Sequence, residues 1–146
     1  MSGITVVGSV FKKRGEIGDF DWMIRSGNYP DTLFIYNDDE QSQNSRTAGG
    51  GNAIIRKYNR NALLRPHSAG VVTGTTKGYT KLTESAKQKI DECFDIIRGL
   101  CKAHGYTKIY YSASTPNGQL GTSIFVVGTD VLDYITKELH ALGSSV

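Results

Sequence analysis

The sequence predicts an α/β fold, a single domain built on a mixed, mostly parallel sheet with flanking helices. Three observations carry that expectation. Thr32-Leu33-Phe34-Ile35-Tyr36 is a continuous apolar run, the pattern of a strand covered on both faces. From Glu84 to His104, Ala86, Ile90, Cys93, Phe94, Ile97, Leu100 and Cys101 recur at helical spacing, which marks a long helix with one buried stripe. Short apolar strands alternate with helical segments along the chain, the order that places parallel strands between crossover helices.

The elements follow in order. Ile4 to Val10 is rich in β-branched residues and predicts the first strand, ending in a turn from Lys12 to Gly18. Asp19 can cap a short helix over Phe20 to Ile24, which Gly27 and Asn28-Tyr29-Pro30 halt; its Trp22, the sole tryptophan, is assigned to the core. After the apolar strand, Asn52 to Tyr58 predicts a helix, and Ser68 to Gly74 a third strand running into a Gly/Thr-rich loop. Thr83 caps the long helix and Gly105 closes it. Lys108 to Ala113 is the fourth strand, and Thr129 caps a last helix whose stripe is Val131, Leu132, Ile135, Leu139 and Leu142, ending at Gly143.

Composition bounds the function. The chain has 146 residues, 38% of them hydrophobic, enough for one core, so residues 1–146 are expected to form one domain. The net charge of +3 is mild and dispersed, and Lys12-Lys13-Arg14 is a solvated turn and not a nucleic-acid footprint. Cys93 and Cys101 fall in one amphipathic stretch and read as core packing, which implies a reducing compartment. No run of about 18 apolar residues and no leader-like amino terminus is present, so neither a membrane partner nor secretion is expected and the cytoplasm is the default. The oligomeric state is not legible.

The chemistry centres on Ala48-Gly49-Gly50-Gly51-Asn52-Ala53-Ile54-Ile55-Arg56, a glycine run between a strand and a helix. Glycines let backbone N–H groups approach a ligand without Cβ obstruction, and the unpaired N–H groups of a helix start favour a phosphate. The alternative is that the glycines only extend a polar surface loop. In a parallel sheet, ligands gather outside the carboxyl ends of the strands. That edge receives Asn37, Asp38 and Asp39 after the second strand, Gly74 to Gly78 after the third, and Ser112 to Phe125 after the fourth, including Gly118, Gly121, Thr122 and Ser123. Small hydroxyls, glycines and a following aromatic suit a diphosphate and a ribose better than a metal or a proteolytic triad. Arg56 is one turn into the glycine-loop helix, within reach of a phosphate.

The order of these motifs resembles the macrodomains, which bind ADP-ribose and in some members hydrolyse its derivatives. Gly15-Glu16-Ile17 resembles the early Gly-Asp-Ile segment whose acid sits near adenine, with Asp19 close behind it. Ile35-Tyr36-Asn37 resembles the strand end that delivers an asparagine to the distal ribose. Ala48 to Ile54 resembles the family's glycine run, and Gly118 to Phe125 its second phosphate loop. The family's Asn-Ala-Ala-Asn is replaced here by Asn37-Asp38-Asp39-Glu40, and Ser123 stands where a glycine is common.

The resemblance implies an ADP-ribose-type nucleotide ligand bound by Glu16, Asp19, Asn37, Gly49, Gly50, Gly51, Asn52, Arg56, Gly118, Gly121, Thr122, Ser123 and Phe125. It permits hydrolysis with Asn37, Asp38 or Asp39 placing a water, and equally a binding-only module, including one that captures a cyclic ADP-ribose type signal in a defence pathway. An interaction protein with glycines as loop material is the third reading. His67, His104 and His140 have no shared metal spacing, Ser112 and Ser114 lack a Gly-x-Ser-x-Gly elbow, and no phosphate-loop Gly-x-x-x-x-Gly-Lys-Ser/Thr motif occurs. No metal or cofactor is expected.

Overall fold

In the computed structural model, which describes residues 3–49, 51–75, 77–121 and 127–145, four parallel strands form one sheet in the order β1-β4-β2-β3. The strands are β1 (Thr5–Ser9), β2 (Thr32–Asp38), β3 (Ser68–Val72) and β4 (Lys108–Ser112). The helices are α1 (Phe20–Ser26), α2 (Glu84–His104) and α3 (Thr129–Ser145), with a 3₁₀ helix over Gly51–Tyr58. Among the described residues no helix is long and apolar enough to cross a membrane.

β2 is paired on both sides and all of its residues are buried. Successive side chains of a strand point to opposite faces. Leu33 and Ile35 therefore join the core under α2 and α3, with Ile90, Phe94, Ile97, Val131, Ile135 and Leu139. Phe34 and Tyr36 enter a second core under α1 and the 3₁₀ helix, with Phe20, Met23 and Ile55. Each fully buried aliphatic or aromatic side chain contributes about 1.5–3 kcal/mol, so the apolar run anchors both layers.

The expected caps are present. Asp19 accepts the Trp22 N–H at 3.2 Å, and Gly27 closes α1 in the left-handed region at φ 76°. Thr83 accepts the Ala86 N–H at 3.1 Å, and the Gly105 N–H donates to the Cys101 carbonyl at 2.9 Å. Cys93 and Cys101 are free and buried, and burial pushes both thiols up to about 11.

Three boundaries differ from expectation. The helix after the glycine run is 3₁₀ over Gly51–Tyr58; at its end the Asn59 N–H bonds the Arg56 carbonyl, three residues back, at 3.0 Å, and the Ile55 carbonyl accepts the Ser68 hydroxyl at 2.7 Å. β3 ends at Val72, since Gly74 leaves the parallel ladder to bridge Gly78 in an antiparallel turn. Thr129 is the first residue of α3 and not its cap, with the Leu132 N–H bonded to the Gly128 carbonyl at 3.0 Å, and the helix passes Gly143 to Ser145.

The strand order also positions the site. α1 and the 3₁₀ helix cover one face, while β4 is entered from α2 on the other and slots between β1 and β2. Chain direction across the sheet reverses there, which opens a crevice at the carboxyl end of β4 between the β1–α1 segment and the 3₁₀ helix.

Candidate functional site

A cavity of about 870 Å³ occupies that crevice, within the range of about 300–1,000 Å³ usual for small-molecule sites. Its wall on the β1 side begins with Phe11, 52% exposed, and Arg14. Gly18 allows the chain to turn into α1: it has φ 109°, and a Cβ there would lie 2.2 Å from the Val10 carbonyl oxygen. Asp19 closes the same turn, one carboxylate oxygen accepting the Gly15 N–H at 3.0 Å and the other the Trp22 N–H. Asp19 is thus both a helix cap and part of the cavity wall.

Trp22 is half-buried: it packs against the second core, as assigned, and also lines this cavity. Phe20 and Met23, one turn apart, take the buried face of α1, with Trp22 at its margin. Asp21 and Arg25 share the Trp22 wall. The Arg25 Nε donates to Asp21 at 2.9 Å, the Tyr58 hydroxyl donates to its other oxygen at 2.8 Å, and Lys57 lies 3.3 Å away. Burial raises the Asp21 carboxyl, but hydrogen bonds from Tyr58, Arg25 and Lys57 outweigh it and hold the group below its ordinary value.

Across the cavity, Gly51, Asn52, Ile54 and Ile55 form the facing wall, with Ile54 44% exposed. Gly51 sits at φ 56°, in the left-handed region. Ser112, at the end of β4, forms the floor, on the same strand face as Tyr110. Behind Asn52 is Asn37, buried at the end of β2. The Asn52 amide donates to the Asn37 side-chain oxygen at 2.9 Å and to the Gly121 carbonyl at 3.2 Å, joining β2, the 3₁₀ helix and the segment after β4.

The neighbouring acids are placed differently. Asp38 is only 2% exposed and Arg56 6%, and the two form a two-pronged ion pair, Nε to Oδ2 at 3.0 Å and Nη2 to Oδ1. Hydrogen bonding to Asp38 raises the Arg56 guanidinium above its ordinary value, against the opposing effect of burial. Asp39 accepts the Ser42 N–H at 2.8 Å, fixing the turn after β2, and lies 3.8 Å from Arg56. Beside this pair the Tyr36 hydroxyl is buried with no hydrogen-bond partner among the described residues, and burial pushes it far above the phenol range. None of Asp38, Asp39 and Arg56 lines the cavity.

The glycines divide by role. Gly49 lies against Arg56: a Cβ there would be 2.7 Å from Nη1 and 2.9 Å from the Ala53 Cβ. Gly118 belongs to a tight turn with Asn117 at φ 56°, in which the Gly118 carbonyl accepts the Tyr111 hydroxyl at 2.6 Å; it does not line the cavity. Asn117 staples that turn to β1, its side chain accepting the Gly8 N–H at 2.8 Å. Gly121 bonds its N–H to the Ser112 carbonyl at 2.8 Å and reaches the site through Asn52. Glu16 is outside the cavity, 3.6 Å from Lys13. Gly50, Thr122, Ser123 and Phe125 lie outside the described residues.

The expected set therefore converges in part: Asp19, Gly51 and Asn52 are in the cavity wall, with Asn37 and Gly121 one hydrogen bond behind. Sequence reasoning missed Phe11, Arg14, Trp22, Arg25 and Ile54 as cavity residues, whereas Ser112 falls at the strand edge where it was expected. Among the described residues, no three His, Cys, Asp or Glu side chains gather so as to hold a metal ion. Comparison with protein-family models, curated proteins and solved structures finds no significant match to the chain.

Proposed function

We propose that this chain is a macrodomain-like binding module for ADP-ribose or a related NAD-derived nucleotide, acting without hydrolysis. The observation that carries the reading is the composition of the crevice at the strand ends. It combines exposed Phe11 and Ile54 with the half-buried Trp22, cations at Arg14 and Arg25, and close backbone approach at Gly51 beside the Asn52 amide. A base stacks on the aromatic end, and a diphosphate takes the Gly51–Asn52 end. Binding is favoured over hydrolysis because the Asp38 carboxylate is engaged by Arg56 and Asp39 holds a turn, leaving neither arranged as a general base toward the cavity. The free, buried Cys93 and Cys101 suit a reducing compartment, and we assign the protein to the cytoplasm.

Calorimetric titration with ADP-ribose, NAD, a cyclic ADP-ribose and adenosine tests this. ADP-ribose is expected to bind at least about tenfold tighter than adenosine, a gap of about 1.4 kcal/mol from the diphosphate. Incubation with ADP-ribosylated protein is expected to release no ADP-ribose over hours. Equal affinities for adenosine and ADP-ribose would remove the phosphate role of the Gly51 end, and steady product release would make the protein an enzyme.

A further inference from the structure

The segment of the crevice wall that carries Phe11 and Trp22 also carries two arginines with spare hydrogen-bond donors. Four charged side chains line it, and both acids are already committed: Asp19 to the Gly15 and Trp22 N–H groups, and Asp21 to Arg25, Tyr58 and Lys57. Arg14 has no hydrogen bond or ion pair among the described residues. Arg25 spends Nε on Asp21, and its two terminal nitrogens make no hydrogen bond among the described residues, on a side chain that is more than half exposed. Arginine presents its donors as a planar fork that matches the oxygens of a phosphate.

We propose that these two arginines receive an additional phosphate monoester on the base-side ribose, so that the preferred ligand is a nucleotide with a terminal monoester beside its diphosphate. The inference rests on the reading of the crevice as a nucleotide site. The base-side ribose joins the base to the diphosphate, so a monoester on it would lie close to the surface on which the base stacks. Phe11 and Trp22, the proposed stacking surface, belong to the same β1–α1 segment as Arg14 and Arg25, whereas Gly51 and Asn52 belong to the 3₁₀ helix. The arginines are partly solvated, so the preference is expected to be moderate and to weaken as salt is added.

The test is a titration of intrinsic fluorescence, for which Trp22 is the sole tryptophan reporter, with ADP-ribose and with its 2′-phosphorylated form at low ionic strength. The wild type is expected to prefer the 2′-phosphorylated ligand by about tenfold, and Arg14→Ala to bring that ratio below about twofold. Lys13→Ala removes the same charge from a neighbouring residue outside the cavity and is expected to keep the preference. Equal binding of the two ligands by the wild type, or an undiminished ratio in Arg14→Ala, overturns the proposal while leaving the nucleotide site standing. Loss of the ratio in Lys13→Ala as well overturns it too, by reducing it to general surface charge. Failure of both ligands to bind overturns the nucleotide reading itself.

Discussion

Arg56→Ala is expected to lower the unfolding free energy by about 3–5 kcal/mol, the usual cost of stripping one partner from a buried ion pair. For a chain of this size that corresponds to a fall of roughly 10 °C or more in the thermal midpoint. The cost arises because Asp38, almost completely buried at the end of β2, would keep its charge with the Asp39 N–H at 2.9 Å as its one remaining hydrogen-bond donor among the described residues. Asp38→Ala is expected to be comparably damaging, by orphaning the guanidinium. Joint replacement by apolar residues of similar size, Asp38→Leu with Arg56→Met, is expected to be less damaging than either single change, since the desolvation cost of both charges disappears together. Chemical denaturation of the four proteins checks this. A single-variant loss below about 1 kcal/mol would show that the pair is solvated in solution and would return Asp38 to the list of candidate bases.

That cycle bears on function because the same carboxylate is a natural suspect for catalysis when only the chain order is known. Asp38 follows an asparagine at a strand end on the ligand edge of the sheet, where a carboxylate could place a water. The residue that engages it is eighteen positions away, in a different element. Nothing local in the sequence marks that pairing, so Arg56 reads as a phosphate ligand and Asp38 as a base, while the fold joins them beneath the site. Gly70 makes room for the pair: a Cβ there would come within 3.0 Å of the Asp38 Cβ.

Other features were legible because their causes are local. The continuous apolar run of β2 announced two covered faces, and both cores are built on it. Asp19, Gly27, Thr83 and Gly105 act at helix ends through bonds spanning three or four residues, which spacing alone reveals. The 3₁₀ geometry after the glycine run was hidden, since the apolar spacing of so short a segment does not separate it from an α-helix, and its tie to β3 through the Ser68 hydroxyl and the Ile55 carbonyl is long-range. Trp22 packs against the second core and lines the cavity at once, and the weight given to a lone tryptophan as core concealed the second role.

Gly51→Val is expected to weaken ADP-ribose binding by on the order of 100-fold, about 2.8 kcal/mol, while the protein stays folded. Gly51 lines the cavity at φ 56°, a region that a β-branched residue resists, and the new side chain would occupy the wall where the diphosphate approaches the backbone. The backbone strain is expected to cost about 1–2 kcal/mol of stability. Gly49→Val supplies the contrast from two residues away. Its Cβ would press on the Arg56 guanidinium, whose geometry is locked by Asp38, so the expected damage falls on stability, approaching that of Arg56→Ala. Melting curves and calorimetric titrations on both variants separate the two roles. If Gly51→Val binds as the wild type does, the glycine run has no part in the ligand site, and its function is the one already visible at Gly49, clearance for a buried arginine.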